Sequence, residues 1–180
     1  MRIVGLDLSL TATGVAIIDD GQVNVATIRS AGRKGDSLLQ RSDRLGWLAR
    51  EIGGRAHSAD LVVVEQPAYA AVTGHHHDRS GLWWLVIDYL SYDNSIPVAE
   101  VAPGTLKKFV SGRGNAGKDE MLLAAAHRFA RLATLSTNDE ADALGLALMG
   151  AEQLGVGLVD LPAKHREALK AVRWPEAVLA

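Results

Sequence analysis

The sequence of 180 residues predicts an α/β protein built on a five-stranded mixed sheet, three antiparallel strands and then parallel ones, with helices on both faces. Two observations support this fold class. The chain opens with three β-rich runs joined by tight turns, which is typical of an antiparallel meander. After them, helical segments alternate with short apolar runs, the pattern that adds parallel strands to a sheet.

The first half of the chain supplies four strands and one helix. The first three strands are "RIVGLDLS", "GVAIID" and "QVNVATIRS", with a turn at Asp20-Gly21 between the second and third. A helix is predicted from Asp36 to about His57, followed by the buried strand "LVVVEQP". The apolar residues that fall near one face of this helix are Leu38, Leu45, Leu48 and Ile52.

The second half supplies one more strand and the remaining helices. A polar loop, "TGHHHDRSG", leads to an apolar helix, "LWWLVIDYL", and then to the fifth strand, "IPVAEVAP". A helical turn started by Pro103 precedes a glycine-rich loop and two helices, "DEMLLAAAHRFARLA" and "DEADALGLALMGAEQL". We expect residues 1–155 to form one domain and residues 156–180 to form a basic helical extension packed on it or flanking it.

Composition restricts the possible functions. The chain has no cysteine, which excludes disulfides and thiolate chemistry. With no targeting signal or membrane-spanning run in view, we expect a cytoplasmic protein without a membrane partner. The net charge is only −2, but residues 101–131 carry six basic side chains against two acids. Such a cluster around a glycine loop is suited to a phosphate backbone, or it is simply a solvated surface.

The stretch "SGRGNAGKDE" resembles a nucleotide-binding P-loop, because Gly112, Gly117 and Lys118 match G-x-x-x-x-G-K. A P-loop requires Ser or Thr after the lysine to bind the magnesium ion of the nucleotide, and a strand before the motif. Here Asp119 follows, and a helix precedes. We therefore expect no nucleotide cofactor, and a mobile loop that presents Arg113 and Lys118 to some other phosphate.

Two acids on apolar strands are the first candidates for chemistry. Asp7 lies within "VGLDLS" and Glu65 ends "LVVVEQ". A carboxylate in such a strand costs several kcal/mol unless a cation meets it. Because functional sites in α/β sheets form at strand ends, these two carboxylates indicate a site. A buried salt bridge with an arginine is the alternative for either residue alone.

A second acidic pair begins the helix "NDEADALGLALMG". Asp139 and Asp142 are three residues apart and share a helical face, whereas Glu140 points away from it. Taken alone, acids that follow the possible caps Ser136, Thr137 and Asn138 are explained by the helix dipole. Together with the two strand acids, they form a donor set suited to a hard divalent cation such as Mg²⁺.

At this point the sequence resembles a known family. The order β-β-β-α-β-α-β-α is the ribonuclease H-like topology, which actin-like ATPases share in each of two lobes. Four segments resemble the motifs of RuvC-type Holliday-junction resolvases, especially the bacteriophage-like branch with its G-x-G-N-x-x-K loop. These segments are "GLDLSLTATGVAIID", "VVVEQPA", "LKKFVSGRGNAGKDEM" and "NDEADALGLAL".

The resemblance implies a crossover junction endodeoxyribonuclease that acts as a homodimer on branched DNA. It implies two Mg²⁺ ions, replaceable by Mn²⁺, and phosphodiester hydrolysis that gives 3′-hydroxyl and 5′-phosphate ends. The residues that fall on the family's metal-binding acids are Asp7, Glu65, Asp139 and Asp142. Lys118 falls on the basic residue beside the scissile phosphate, and Lys107 or Lys108 on a second functional lysine. We also expect Arg113, Tyr69 and Arg79 to contact DNA.

The motifs depart from the bacterial pattern at two points, where Leu8-Ser9 replaces Pro-Gly and Ala68 replaces an aromatic wedge. The cleavage preference therefore stays open, as does the choice between four-way junctions and forks, flaps or structured RNA. A non-catalytic binding module and an actin-like ATPase are more distant alternatives. The sequence also leaves open the roles of His75 to His77, for which zinc binding competes with a solvated loop.

Overall fold

The computed structural model describes residues 1–67 and 75–178. The strands are β1 (Arg2–Asp7), β2 (Ala12–Asp19), β3 (Gln22–Arg29), β4 (Leu61–Glu65) and β5 (Val98–Val101). The α-helices are α1 (Leu38–Ala56), α2 (His76–Asp88), α3 (Pro103–Ser111), α4 (Lys118–Arg128), α5 (Asn138–Gln153) and α6 (Ala163–Arg166). A π-helical turn, Tyr89–Asp93, extends α2, and 3₁₀ turns at Glu167–Ala171 and Glu176–Val178 follow α6.

The sheet has the predicted topology. Its strand order is β3-β2-β1-β4-β5, with β1, β2 and β3 antiparallel and with β4 and β5 parallel to β1. The turn between β2 and β3 is formed by Asp20 and Gly21, both with positive φ, as a tight hairpin connection requires. The predicted mixed five-stranded sheet is therefore confirmed.

Alternation along the strands divides the core into two layers. In β1, Ile3 packs with α3, α4 and α5 on one face of the sheet, whereas Val4 and Leu6 pack with α1 and α2 on the other. The prediction of helices on both faces is confirmed. Every second residue of a strand points to the same face of the sheet. Asp7 and Glu65 therefore point to the same face as Ile3 and Val63, which is the face that α5 covers.

Helix α5 lies unusually close to the sheet because glycines replace side chains at its crossing points. A Cβ atom at Gly14 would lie 2.0 Å from the backbone oxygen of Asp139, and one at Gly5 would lie 2.1 Å from that of Ala143. Farther along α5, a Cβ atom at Gly150 would lie 2.9 Å from the side chain of Ile3. The helix is buried nearly all round from Ala143 to Ala151, which explains its small residues.

Two predictions about the helices were wrong in part. Residues 76–81 of the segment predicted as a polar loop already belong to α2, and Asp78 in its first turn forms an ion pair with Arg41 of α1. In α1, Leu48 and Ile52 are buried as predicted, but Leu38 is 77% exposed. Residues 37–43 are all exposed, although Arg41 among them forms the ion pair with Asp78.

The residues after 156 pack on α3. Leu161, Ala168, Val172 and Trp174 join the same buried cluster as α3, α4 and α5. The boundary at residue 155 itself stays a prediction. Within the two described ranges, every helix is too short or too polar to cross a bilayer.

The close contact at Gly14 can be tested by adding a single methyl group. Gly14→Ala should lower the free energy of unfolding by about 3 kcal/mol or more, because its Cβ would overlap the backbone of α5. Gly54→Ala is the matched control: no atom lies near its Cβ position, and α1 should gain about 0.5–1 kcal/mol. Urea unfolding of both variants checks this, and equal stabilities would contradict the contact.

Candidate active site

The two strand acids lie side by side at one edge of the sheet. Strands β1 and β4 are parallel, and Leu6 is opposite Val64, so Asp7 and Glu65 follow at adjacent strand ends. Each of the two carboxyl groups shifts the pKa of the other, so the two side chains lie close together. The alternative of a buried salt bridge with an arginine finds no support within the described residues: the charged groups that shift the pKa values of the two acids are other acids and, for Glu65, the lysines at 107 and 118.

The first turn of α5 brings the other two acids to the same edge. Gly14, which pairs with Asp7 across β1 and β2, is the residue on which the Asp139 backbone rests. Asp139 and Asp142 both act electrostatically on Asp7. The four acids predicted to form the site are thus brought together by two strand ends and one helix start.

The neighbouring acid, Glu140, has a separate role. Its carboxylate accepts hydrogen bonds from the Thr27 hydroxyl at 3.3 Å and from the Ser136 backbone at 2.8 Å. Thr137 is the N-cap, since its hydroxyl accepts a hydrogen bond from the backbone nitrogen of Glu140. The prediction that Glu140 points away from the acidic pair is confirmed, and the helix cap does not use Asp139 or Asp142.

Burial and mutual repulsion make these carboxyl groups hard to ionise. Burial, followed by the charges of Glu65, Asp142 and Asp139, raises the pKa of Asp7 to about 8. Burial and Asp142 raise the pKa of Glu65 to about 7. Burial and then Asp139 raise the pKa of Asp142 to about 6. The acids at this edge of the sheet therefore carry more potential negative charge than the basic groups of the protein neutralise.

Two lysines supply partial compensation. Lys107 on α3 and Lys118 at the start of α4 both lower the pKa values of Glu65 and Asp142 against the dominant rise. Lys108 instead pairs with Glu167 of the C-terminal segment at 3.5 Å. Because consecutive helical residues point about 100° apart, only one of the two adjacent lysines can face the acids. The geometry selects Lys107.

The other residues predicted to contact DNA, and the three histidines, lie in different parts of the chain. Arg113 is in the glycine loop and pairs with Glu120 at 3.1 Å, although its side chain stays 60% exposed. Arg79 is exposed on the first turn of α2. Tyr69 lies outside the described residues. The histidines form no ion site within the described ranges: His75 approaches Asp78 at 3.6 Å, and the rings of His76 and His77 are 4.0 Å apart.

The chemistry of the acidic site fits a hard divalent cation. Its donors are carboxylate oxygens, and three of the four acids have raised pKa values that a bound cation would lower. In the described part of the chain, no three or more acidic or histidine side chains form a preformed ion-binding cluster. Carboxylate side chains can rotate towards an ion while their backbones stay in place, so the absence of a preformed cluster is compatible with cation binding.

Two residues that were not predicted from the sequence hold this site together. Gly14 stands within the β-rich run "TATGVAII", and an isolated glycine in a strand often marks a close backbone approach, so a signal was present. Thr13 is buried beside it and closes the loop after Asp7: its hydroxyl donates to the Ser9 carbonyl at 2.8 Å and accepts from the Ser9 nitrogen. Nothing local in the sequence indicates this second role.

Comparisons with known proteins identify the family of the chain. No family model matches the chain. The crossover junction endodeoxyribonuclease RuvC of Paenarthrobacter aurescens is 32% identical over 165 residues, which cover 88% of this chain and 85% of the relative. The enzyme of the same name from Halorhodospira halophila is 31% identical over 153 residues, covering 82% of this chain and 87% of the relative.

Solved structures share the fold at lower identity. Thermus thermophilus RuvC superposes with a TM-score of 0.67 at 18% identity, covering 89% of this chain and 99% of that chain. RuvC from the same organism in complex with Holliday junction substrate gives a TM-score of 0.66 at 16% identity, over 89% and 98% of the two chains. The ribonuclease H-like fold is confirmed. Because relatives above 30% identity align over most of both sequences, the chain belongs to the RuvC family of crossover junction endodeoxyribonucleases.

Proposed function

We propose that this protein is a divalent-metal-dependent endonuclease that cleaves four-way DNA junctions. The observation that carries the proposal is the cluster of four partly buried acids beside two lysines, in a chain of the RuvC family. The relatives are named crossover junction endodeoxyribonucleases, and one similar structure contains a Holliday junction. Cleavage would give 3′-hydroxyl and 5′-phosphate ends.

The four acids would hold two Mg²⁺ ions, which Mn²⁺ could replace. Bound there, such ions supply Lewis acidity that activates water and stabilises the leaving oxygen. Asp7 and Glu65 would hold metal from the strand side, and Asp139 and Asp142 from the helix side. Lys118 would donate to the scissile phosphate as its negative charge increases, with Lys107 orienting the same phosphate. Arg113, Lys108, Arg79 and Tyr69 are proposed DNA contacts farther from the reacting phosphate.

The choice of substrate separates this proposal from the alternative nuclease functions. Replication forks, flaps and structured RNA expose the same phosphodiester chemistry, and the acids do not distinguish among them. Cleavage of a labelled four-way junction should exceed cleavage of fork, flap, RNA and linear controls in Mg²⁺. Equal cleavage of all branched substrates would replace the junction proposal with a general branched-nucleic-acid nuclease.

The lysine assignment predicts different effects at adjacent positions. Lys118→Ala should slow junction cleavage by about 10²–10³-fold while leaving junction affinity nearly unchanged, because it removes a donor that acts mainly in the transition state. The Lys107→Ala variant should also cleave the junction more slowly than the parent. Lys108→Ala is the matched control and should lose much less, because Lys108 pairs with Glu167. Single-turnover rates and filter binding check this; an equal loss for Lys108→Ala would contradict the assignment.

Neutralising Asp7 should abolish cleavage yet stabilise the fold. The folded protein keeps a proton on Asp7 up to about pH 8, whereas the unfolded chain releases it near pH 4. The parent therefore loses stability as the pH rises between these values, and Asp7→Asn avoids that part of the loss. Without divalent ions at pH 8, the variant should be more stable by roughly a few kcal/mol.

Thermal unfolding with and without Mn²⁺ completes this test. Mn²⁺ should raise the melting temperature of the parent, and much less that of Asp7→Asn, because binding to the folded state stabilises it. Glu140→Gln is the control, since its side chain bonds to Thr27 and Ser136 rather than to the site, and it should remain active. A destabilised Asp7→Asn protein would refute the account of repulsion.

A homodimer is the proposed active assembly. The two adjacent tryptophans of α2 split as the helical angle predicts: Trp83 is buried, whereas Trp84 is 64% exposed. Trp84, Leu85 and Tyr92 line an apolar groove of about 510 Å³ on the sheet face opposite the acids. Exposed apolar surface of this kind marks an interaction site, and a two-fold partner would suit a junction with two equivalent strands.

Charge introduced into this groove should separate the subunits. Trp84→Glu should shift the protein to a monomer in sedimentation at micromolar concentration and abolish paired nicking of a junction, because a carboxylate would be buried at the contact. Leu123→Glu, at another exposed apolar position on α4, is the control and should leave the dimer intact. A parent that sediments only as a monomer, with and without DNA, would refute the dimer.

A further inference from the structure

The C-terminal segment contacts the connection between the two lysine-bearing helices. Helix α3 carries Lys107, α4 begins at Lys118, and residues 112–117 connect them. Both α6 and the following 3₁₀ turn pack against α3. The orientation of Lys107 relative to Lys118 therefore depends on how the end of α3 is held.

Four consecutive carbonyls at that end of α3 each accept a hydrogen bond from a different group. The Ser111 hydroxyl donates to Lys107 at 2.9 Å, and the Gly112 nitrogen to Lys108 at 2.9 Å. Arg128 of α4 donates to Val110 at 3.2 Å. The remaining carbonyl, that of Phe109, is bonded at 2.7 Å by Nδ1 of His165. The carbonyls of Phe109 and Val110 need such partners because no further helical turn supplies a backbone donor.

His165 is only 6% exposed, and its bond to Phe109 defines its chemistry. A carbonyl oxygen can only accept, so Nδ1 carries the hydrogen and donates it. Among the described residues, His165 and Thr13 are the polar side chains that are buried. Thr13 closes the loop after Asp7, and His165 bonds to the last turn of α3, the helix that carries Lys107.

The imidazole ring also fills the space over Gly112. This residue has φ +81, a left-handed conformation suited to glycine, and it ends α3 where the loop departs. A Cβ atom there would lie 2.9 Å from Nε2 of His165. One side chain from the C-terminal segment thus holds the last turn of α3 and covers the hinge of the loop.

We propose that His165 is a positioning residue: it fixes the Gly112 hinge so that Lys107 and Lys118 face the acids together. The inference rests on the proposed function for what the lysines do, but its geometric part does not. Residues after 155 then belong to the framework of the site. The competing explanation is that His165 only contributes to the packing of the core.

Two substitutions and one control separate these explanations. His165→Leu keeps an apolar side chain but removes the donor to Phe109. His165→Asn keeps an amide N–H near the Nδ1 position and should restore most of the function. Val172→Ala, in the same segment and the same buried cluster, removes packing without touching the hinge. Thermal unfolding of all three measures the general loss of stability.

Limited proteolysis of the protein without DNA or metal measures directly how readily the Gly112 hinge opens. Trypsin cleaves after Arg113, which is exposed and lies next to the hinge. His165→Leu should speed cleavage of the Arg113–Gly114 bond by about tenfold or more at a temperature where it stays folded, because a released hinge opens locally. Val172→Ala and His165→Asn should resemble the parent. Equal acceleration in Val172→Ala would reduce His165 to a packing residue.

Cleavage kinetics at saturating DNA give the second readout. His165→Leu should lower the single-turnover rate by about tenfold, since small misplacements of a catalytic group have effects of this order or larger. In a Lys118→Ala background the same change should cost clearly less than tenfold, because one of the two lysines that it positions is gone. Equal losses in both backgrounds would overturn the proposal.

The two readouts also separate this inference from the proposed function. If the parent cleaves no branched DNA, the nuclease proposal fails, and trypsin still decides whether His165 holds the hinge. If the parent cleaves junctions but His165→Leu matches it in both assays, the inference fails and the nuclease proposal stands.

Discussion

The backbone contact between α5 and the sheet is the constraint on which the rest of the structure depends. Gly5 and Gly14 let the helix lie directly on β1 and β2, with no side chain between them. At that separation the first turn of α5 reaches the ends of β1 and β4. Acids more than 130 residues apart along the chain, such as Asp7 and Asp139, therefore act on one another. If α5 lay farther from the sheet, the acids at the strand ends and the acids at the helix start would be too far apart to form one site.

This closeness has an energetic cost that the surrounding core must offset. Burial and repulsion raise the pKa values of Asp7, Glu65 and Asp142, so each lowers stability at neutral pH. Two apolar layers, one on each face of the sheet, supply the compensating burial. Lys107 and Lys118 offset part of the charge and leave the rest for a cation. A site whose carboxyl groups destabilise the fold when no cation is bound is suited to binding metal and phosphate.

The two faces of the sheet carry different roles. The face that holds α3, α4 and α5 carries the acids, the lysines and the C-terminal segment that supports α3. The opposite face holds α1 and α2, and its outer surface exposes Trp84 and Tyr92. The charged side chains and the exposed apolar surface are thus on opposite sides of one sheet. A partner subunit on the α2 side would leave the acidic edge open to a nucleic acid.

The sequence by itself determined the sheet, its strand directions and the four acids, because alternation, turn residues and a carboxylate in an apolar strand are local signals. It did not reveal that α2 begins at His76, that Leu38 is exposed, or which adjacent lysine faces the acids. Those depend on Arg41 meeting Asp78, on where the core ends, and on Glu167 pairing with Lys108. The tertiary structure alone decided these matters, and the place of His165 over Gly112, because contacts between distant segments leave no periodic trace in the chain.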